Sequence, residues 1–118
     1  MGSQTVRLTV PADPAFARSV RMMAANVAVV GGMGIDAVED VRMAAEEGFV
    51  YACATEPAAC DVIFSVAEGS VAIDFSLGAD EPDAERVRYA RLLLAAVCDE
   101  FDVDVPSATL HLLRRAAS

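Results

Sequence analysis

The stretch from Ile35 to Thr55 constrains the fold of this chain more than any other part of the sequence. It reads IDAVEDVRMAAEEGFVYACAT, and apolar or small residues recur in it at steps of three and four, as on one face of a helix. These residues are Val38, Val41, Ala45, Gly48, Phe49 and Ala52. Asp36 and Glu39 have the spacing of a capping box and predict where the helix begins. The sequence therefore predicts a long helix with one buried face.

Along the margin of that face, four residues form a row, because helical residues three or four positions apart lie one above the other. They are Asp40, Ala44, Glu47 and Tyr51. From this margin, a carboxylate such as Glu47 can reach a ligand bound in a cleft beside the helix. A solvated surface Glu gives the same pattern, so both interpretations stay open.

The other elements follow from alternation, helical spacing and turn residues. In order, we predict a strand over Thr5–Val10, a helix capped by Asp13 with Phe16, Val20, Met23, Ala24 and Val27 on one face, a hairpin of Asp61–Ala67 and Val71–Leu77, a helix starting at Asp80 or Glu81 and running to Phe101, and a strand over Ala108–Leu113. The glycine cluster at 31–34 follows a helix and precedes no lysine, so we interpret it as a turn and not a phosphate loop.

The resulting order is β-α-α-β-β-α-β. It predicts an α/β (α+β) two-layer sandwich, with about four mostly antiparallel strands and three helices on one face. At 118 residues we expect a single domain over 1–118. The net charge of −9 disfavours binding to nucleic acid or to an anionic membrane. Without a signal peptide or a membrane-spanning run, we expect a cytoplasmic protein.

Several isolated residues give only weak signals. The three cysteines are odd in number and lack C-x-x-C spacing, so we predict no disulfide framework or zinc site, and Cys98 is interpreted as core packing. His111 has no ligand partner nearby in sequence. Asp74 is expected to face solvent or to pair with an arginine. The acids at 99, 100, 102 and 104 are interpreted as a solvated helix end.

The run MGIDAVEDVRMAAEEGFVYA resembles the anti-sigma-factor serine kinases of bacterial partner-switching systems, in the superfamily of histidine kinases, gyrase B and Hsp90. Residues 33–34, 36, 39–42 and 44–45 match the family pattern in turn, and Glu47 falls on the family's Glu. The resemblance implies an ATP-binding fold in which that Glu supports proton transfer. It also implies an Asn four residues later that holds magnesium, an Asp-x-Gly that binds adenine, and a glycine-rich lid.

This sequence departs from the family at three parts of that nucleotide site. Tyr51 stands in the place of the Asn, and a phenol is a poor magnesium ligand. Ser76 replaces the Asp of Asp-x-Gly, although Gly78 is kept. No glycine follows Gly78, so the lid is missing. Phosphoryl transfer depends on positioning and neutralising the phosphates. We therefore predict no kinase activity, no catalytic residue beyond a residual candidate in Glu47, and no bound metal or cofactor.

We therefore predict that the chain is a degenerate, non-catalytic member of this fold that binds a sigma factor or an anti-sigma antagonist. Met22, Met23 and Met33 are the predicted partner contacts, because methionine suits adaptable interfaces; filling of the core is the alternative. The Tyr51 ring either occupies the space that a phosphate or metal fills in the family, or packs at the margin of the sheet. The alternative functions are an atypical ATP-binding (Mg-ATP) kinase or ATPase, and a heterodimer partner of a full-length kinase. A homodimer is compatible with the first function.

Overall fold

Three helices lie on one face of a five-stranded antiparallel sheet in this computed structural model, which describes residues 2–116. The strands are β1 (Gln4–Val10), β2 (Cys60–Ala67), β3 (Ser70–Ser76), β4 (Glu100–Asp104) and β5 (Thr109–Arg115), and they are hydrogen-bonded in the order β1-β2-β3-β5-β4. The helices are α1 (Ala17–Val30), α2 (Ile35–Ala54) and α3 (Ala84–Val97), and a 3₁₀ turn over Pro14–Phe16 leads into α1. The predicted class is confirmed.

Alternation along the central strands sets the two layers. In β2 and β3 every second residue is buried against the helices, and the residues between them lie half-buried on the outer face of the sheet. The inward set includes Phe64 and Phe75, both completely buried. A two-residue turn at Glu68 and Gly69 joins the strands, and Gly69 adopts φ +78°, which suits glycine.

Helix α2 lies between α1 and α3 over the centre of the sheet, as its apolar face predicts. Gly48 allows it to approach closely, because a Cβ there would lie 2.5 Å from the Phe75 ring. The predicted capping box is wrong. Gly34 is the N-cap without a side-chain bond, while Asp36 lies in the first turn and Glu39 pairs with Arg42.

The largest departure from the predicted fold is the additional strand β4. Helix α3 ends at Val97 and not at Phe101, and the acids predicted to form a solvated helix end lie at or on the edge strand. Phe101 and Val103 alternate with Glu100, Asp102 and Asp104, which is strand periodicity, and the β4 residues pair with β5 from Glu100↔Leu113 to Asp104↔Thr109. The acids concealed this pattern because acidic residues are uncommon in strands.

The start of α3 also differs from the prediction. Asp83 is its N-cap, and the Asp83 carboxylate accepts a hydrogen bond from the Arg86 backbone N–H at 2.8 Å. Asp80 and Glu81 belong to the preceding loop. Across residues 2–116, every helix falls short of the length and apolarity needed to cross a bilayer.

Candidate functional site

Glu47, in the middle of α2, is held by an arginine from α3. The Glu47 residue is 7% exposed, and its Oε2 accepts a hydrogen bond from Arg86 Nη1 at 3.2 Å. Burial raises the pKa of Glu47 above its usual value, while the charge and hydrogen bond of Arg86 oppose that shift. The carboxylate is therefore part of a helix–helix contact.

Local structure orients Arg86 toward Glu47. The Asp83 cap fixes the Arg86 backbone, and the guanidinium lies 5.9 Å from the centroid of the Tyr89 ring. The space beside Glu47 is a cavity of about 210 Å³ lined by Met43, Glu46, Glu47, Tyr89 and Leu93. Among these lining side chains there is no cation to receive a phosphate.

A second contact, between Thr55 and Gly78, forms at the end of α2. Thr55 is 3% exposed; its hydroxyl donates to the Ala52 carbonyl at 2.6 Å and accepts from the Gly78 N–H at 2.7 Å. A Cβ on Gly78 would lie 2.2 Å from the Thr55 carbonyl oxygen, so only glycine fits this approach. The loop after β3 is thus fixed to the end of α2.

Tyr51 lines two adjoining clefts without filling either. The Tyr51–Gly78 cleft, about 310 Å³, includes Thr55, Asp80 and Glu81, and the α3–β4 cleft, about 400 Å³, lies between α3 and the β4–β5 hairpin. The half-buried ring packs against the core. Its position corresponds to the alternative in which Tyr51 packs at the sheet margin.

The charged side chains that line the Tyr51–Gly78 cleft are acidic. Asp80 and Glu81 line it, and the pKa of nearby Glu56 is raised by a hydrogen bond with Asp80 and by the Asp80 charge. Acidic groups repel phosphates. Helix α3 begins at Ala84, soon after Gly78, so no lid intervenes. Within residues 2–116, no cluster of three or more His, Cys, Asp or Glu is arranged to hold a metal.

Ser76 and Glu47 do not share that cleft. The Ser76 hydroxyl accepts a hydrogen bond from the Asp61 N–H at 2.8 Å. Tyr51 and Gly78 are brought together; Glu47 lies one helical turn away beneath α3.

The three methionines predicted to contact a partner differ in how exposed they are to solvent. Met22 is 61% exposed, Met23 is half-buried, and Met33 is 7% exposed within the core.

Cys98 packs against the core as expected, and burial raises its pKa to about 12. Asp74 lies on the outer face of the sheet, in agreement with the first expected alternative. Its Oδ1 lies 2.6 Å from His111 Nδ1, so its partner is a histidine and not an arginine.

Three contacts were missed by the sequence analysis. The sequence patterns single out neither Arg86 nor the pairing of Arg114 with Asp40 at 3.0 Å, and they place Thr55 only at the end of a helix. The contacts of Arg86 and Thr55 join residues 39 and 23 positions apart. The sequence signal for the Arg86 contact is the place of Glu47 at the margin of an apolar face, because a carboxylate that is buried there needs a cation.

Comparison with known proteins identifies a fold but no family. No protein-family model matches the chain, and no curated protein matches it. A solved structure, of the RsbU and RsbW domains of Rv1364c from Mycobacterium tuberculosis, matches with a TM-score of 0.68 at 14% identity. The match covers 98% of this chain and 35% of that protein. The chain therefore shares its fold with part of a longer protein.

Proposed function

We propose that this chain is a regulatory binding module that holds a protein partner and does not transfer phosphate. The observation that carries the proposal is the contact between Glu47 and Arg86. A general base must reach the proton it removes. Here the corresponding carboxylate is buried against α3 and occupied by a guanidinium, 3.2 Å away.

The proposed partner is a sigma factor or an anti-sigma antagonist. Two observations support this choice: the resemblance of residues 33–51 to anti-sigma-factor serine kinases, and the fold shared with the structure of the RsbU and RsbW domains of Rv1364c. The net charge of −9 favours a basic surface on the partner.

One observation favours a second function. The Tyr51–Gly78 cleft, about 310 Å³, lies where the resemblance implies a nucleotide, and Gly78 of the Asp-x-Gly motif remains. This supports an atypical ATP-binding protein. Its acidic lining and the short connection to α3 favour the first function.

Titration calorimetry with Mg-ATP separates the two functions. The binding module gives no heat at micromolar protein, whereas micromolar binding that disappears in Glu47→Ala would establish the second function. The partner is tested by affinity purification from the native cells, followed by reconstitution with the purified candidate. Saturable binding of a sigma factor or antagonist supports the proposal; recovery of only a homologous kinase would replace it with a heterodimer.

A further inference from the structure

The α3–β4 cleft combines an apolar interior with an available positive charge. Its floor consists of Ala90, Leu94 and Leu110, each 3% exposed or less. Phe101 and Val103 of β4 form one wall, and Tyr51 of α2 forms another. The volume of about 400 Å³ lies within the range of about 300–1,000 Å³ typical of small-molecule sites.

Arg91 provides the charge at the edge of this cleft. It is exposed on α3 and makes no hydrogen bond or ion pair with any residue in the described range 2–116. Most other arginines do not have this freedom: Arg21, Arg42, Arg86, Arg114 and Arg115 each bind a carboxylate. In a chain with 18 acidic residues, an unpaired guanidinium beside an apolar cleft is available for an anionic ligand.

The surrounding charges limit how negative that ligand can be. Asp102 lies on the rim of the same cleft, and Asp80 and Glu81 line the adjoining cleft across Tyr51. A single guanidinium balances one negative charge, while the three carboxylates repel a polyphosphate. The Tyr51 hydroxyl, without a hydrogen-bond partner among residues 2–116, adds a neutral donor.

We propose that the α3–β4 cleft binds a small monoanionic organic molecule, an aromatic or branched aliphatic carboxylate. The apolar part lies on Ala90, Leu94 and Leu110, and the carboxylate pairs with Arg91. This ligand site is independent of the proposed function, because it involves neither a protein partner nor the Glu47–Arg86 contact. It gives the domain a way to respond to a metabolite of this chemical class.

The test uses two matched probes, 1-naphthaleneacetate and the neutral 1-naphthaleneethanol, followed by ¹H–¹⁵N NMR of the full chain. We expect saturable shifts of the Ala90, Leu94 and Leu110 amides, with a dissociation constant for the acetate of about 1 mM or tighter, as for a fragment-sized ligand. Arg91→Gln weakens the acetate about fivefold or more and leaves the neutral probe within about twofold.

Arg88→Gln is the matched control. Arg88 is also exposed on α3 and without a partner among residues 2–116, but it does not line the cleft, so both affinities remain unchanged. Val103 is part of the β4 wall of the cleft, so Val103→Trp fills the cleft with an indole ring and abolishes binding of both probes. Three results overturn the proposal: no saturable shift, shifts confined to another surface, or equal weakening by Arg91→Gln and Arg88→Gln. Tighter binding of Mg-ATP at the same amides would replace the monoanion with a nucleotide.

Discussion

Arg86, in the first turn of α3, donates a hydrogen bond across 3.2 Å to the carboxylate of Glu47, which is almost completely buried in α2. This contact joins α2 and α3 through Glu47 itself, the residue to which the sequence resemblance assigns a role in proton transfer. A buried carboxylate is costly unless it is paired, so Arg86 compensates a charge that the fold places between helices.

The first prediction concerns the stability of the chain without the Arg86 side chain. Arg86→Ala leaves Glu47 buried and unpaired. Loss of one partner of a fully buried pair costs about 3–5 kcal/mol. Since the Arg86 side chain is 35% exposed and solvent screens the pair, we expect a loss of about 1–3 kcal/mol in the free energy of unfolding.

Urea denaturation at neutral pH measures this loss. Arg88→Ala on the same helix is the control, because Arg88 is exposed; it should change stability by less than about 0.5 kcal/mol. Equal effects of the two substitutions would show that the pair contributes nothing specific.

A second prediction concerns pH. The pKa of Glu47 is raised above its usual 4.5 in the folded chain, so the folded state holds this proton more tightly than the unfolded state. The contribution of Glu47 to stability is therefore complete below about 4.5 and decreases as pH rises through the folded-state pKa.

Glu47→Gln removes that dependence. Its stability relative to the wild type should improve as pH rises from about 4 to about 7, because glutamine resembles the protonated acid and still accepts a bond from Arg86. Urea denaturation across this range measures the difference. A difference that does not change with pH would contradict the assigned shift.

Local patterns explain how much of the fold was predictable. Helix α2 and the β2–β3 hairpin were identified because their periodicity is long and their turns carry glycine. Strand β4 was missed because three acids in five residues resemble a loop, and its strand character comes from pairing with β5. Such tertiary pairing overrides local preference.

The candidate site was predictable only in part. By resemblance, Glu47, Tyr51, Ser76 and Gly78 were assigned to one degenerate site, and of these only Tyr51 and Gly78 line the same cleft. No periodic pattern connects Glu47 to Arg86, or Thr55 to Gly78, because each pair is formed by packing between distant elements. A buried polar group indicates that a partner exists without indicating which one.

The Thr55 hydroxyl supports a third prediction. Thr55→Val keeps the shape of the side chain but leaves the Gly78 N–H without its acceptor. An unsatisfied buried donor costs about 1–3 kcal/mol. We expect that loss in urea denaturation, together with faster hydrogen exchange at the Gly78 amide. Thr55→Ser keeps the hydroxyl and should retain the slow exchange; equal exchange in the two variants would contradict the assignment.

Gly78 gives a fourth prediction. In Gly78→Ala the new Cβ would lie 2.2 Å from the Thr55 carbonyl oxygen and 2.5 Å from two further backbone atoms, none of which can move as a side chain does. We expect destabilisation of about 3 kcal/mol or more. Gly34→Ala is the control: no atom lies within 4 Å of a Cβ there, and loss of a glycine N-cap costs at most about 1 kcal/mol. Similar melting temperatures for the two variants would argue against the close approach.

The last prediction concerns Met22, the most exposed of the three methionines predicted to bind the partner. Its side chain is 61% exposed on α1, so Met22→Asp should leave the melting temperature nearly unchanged. If α1 forms part of the interface, Met22→Asp removes an apolar contact and adds a carboxylate that must lose its water on binding, so the partner's affinity should fall about tenfold or more. Met43→Asp is the matched control, since Met43 is 42% exposed on α2 outside the predicted contacts. An equal loss of affinity in both variants would indicate a nonspecific effect of charge, and an unchanged affinity in Met22→Asp would place the interface elsewhere.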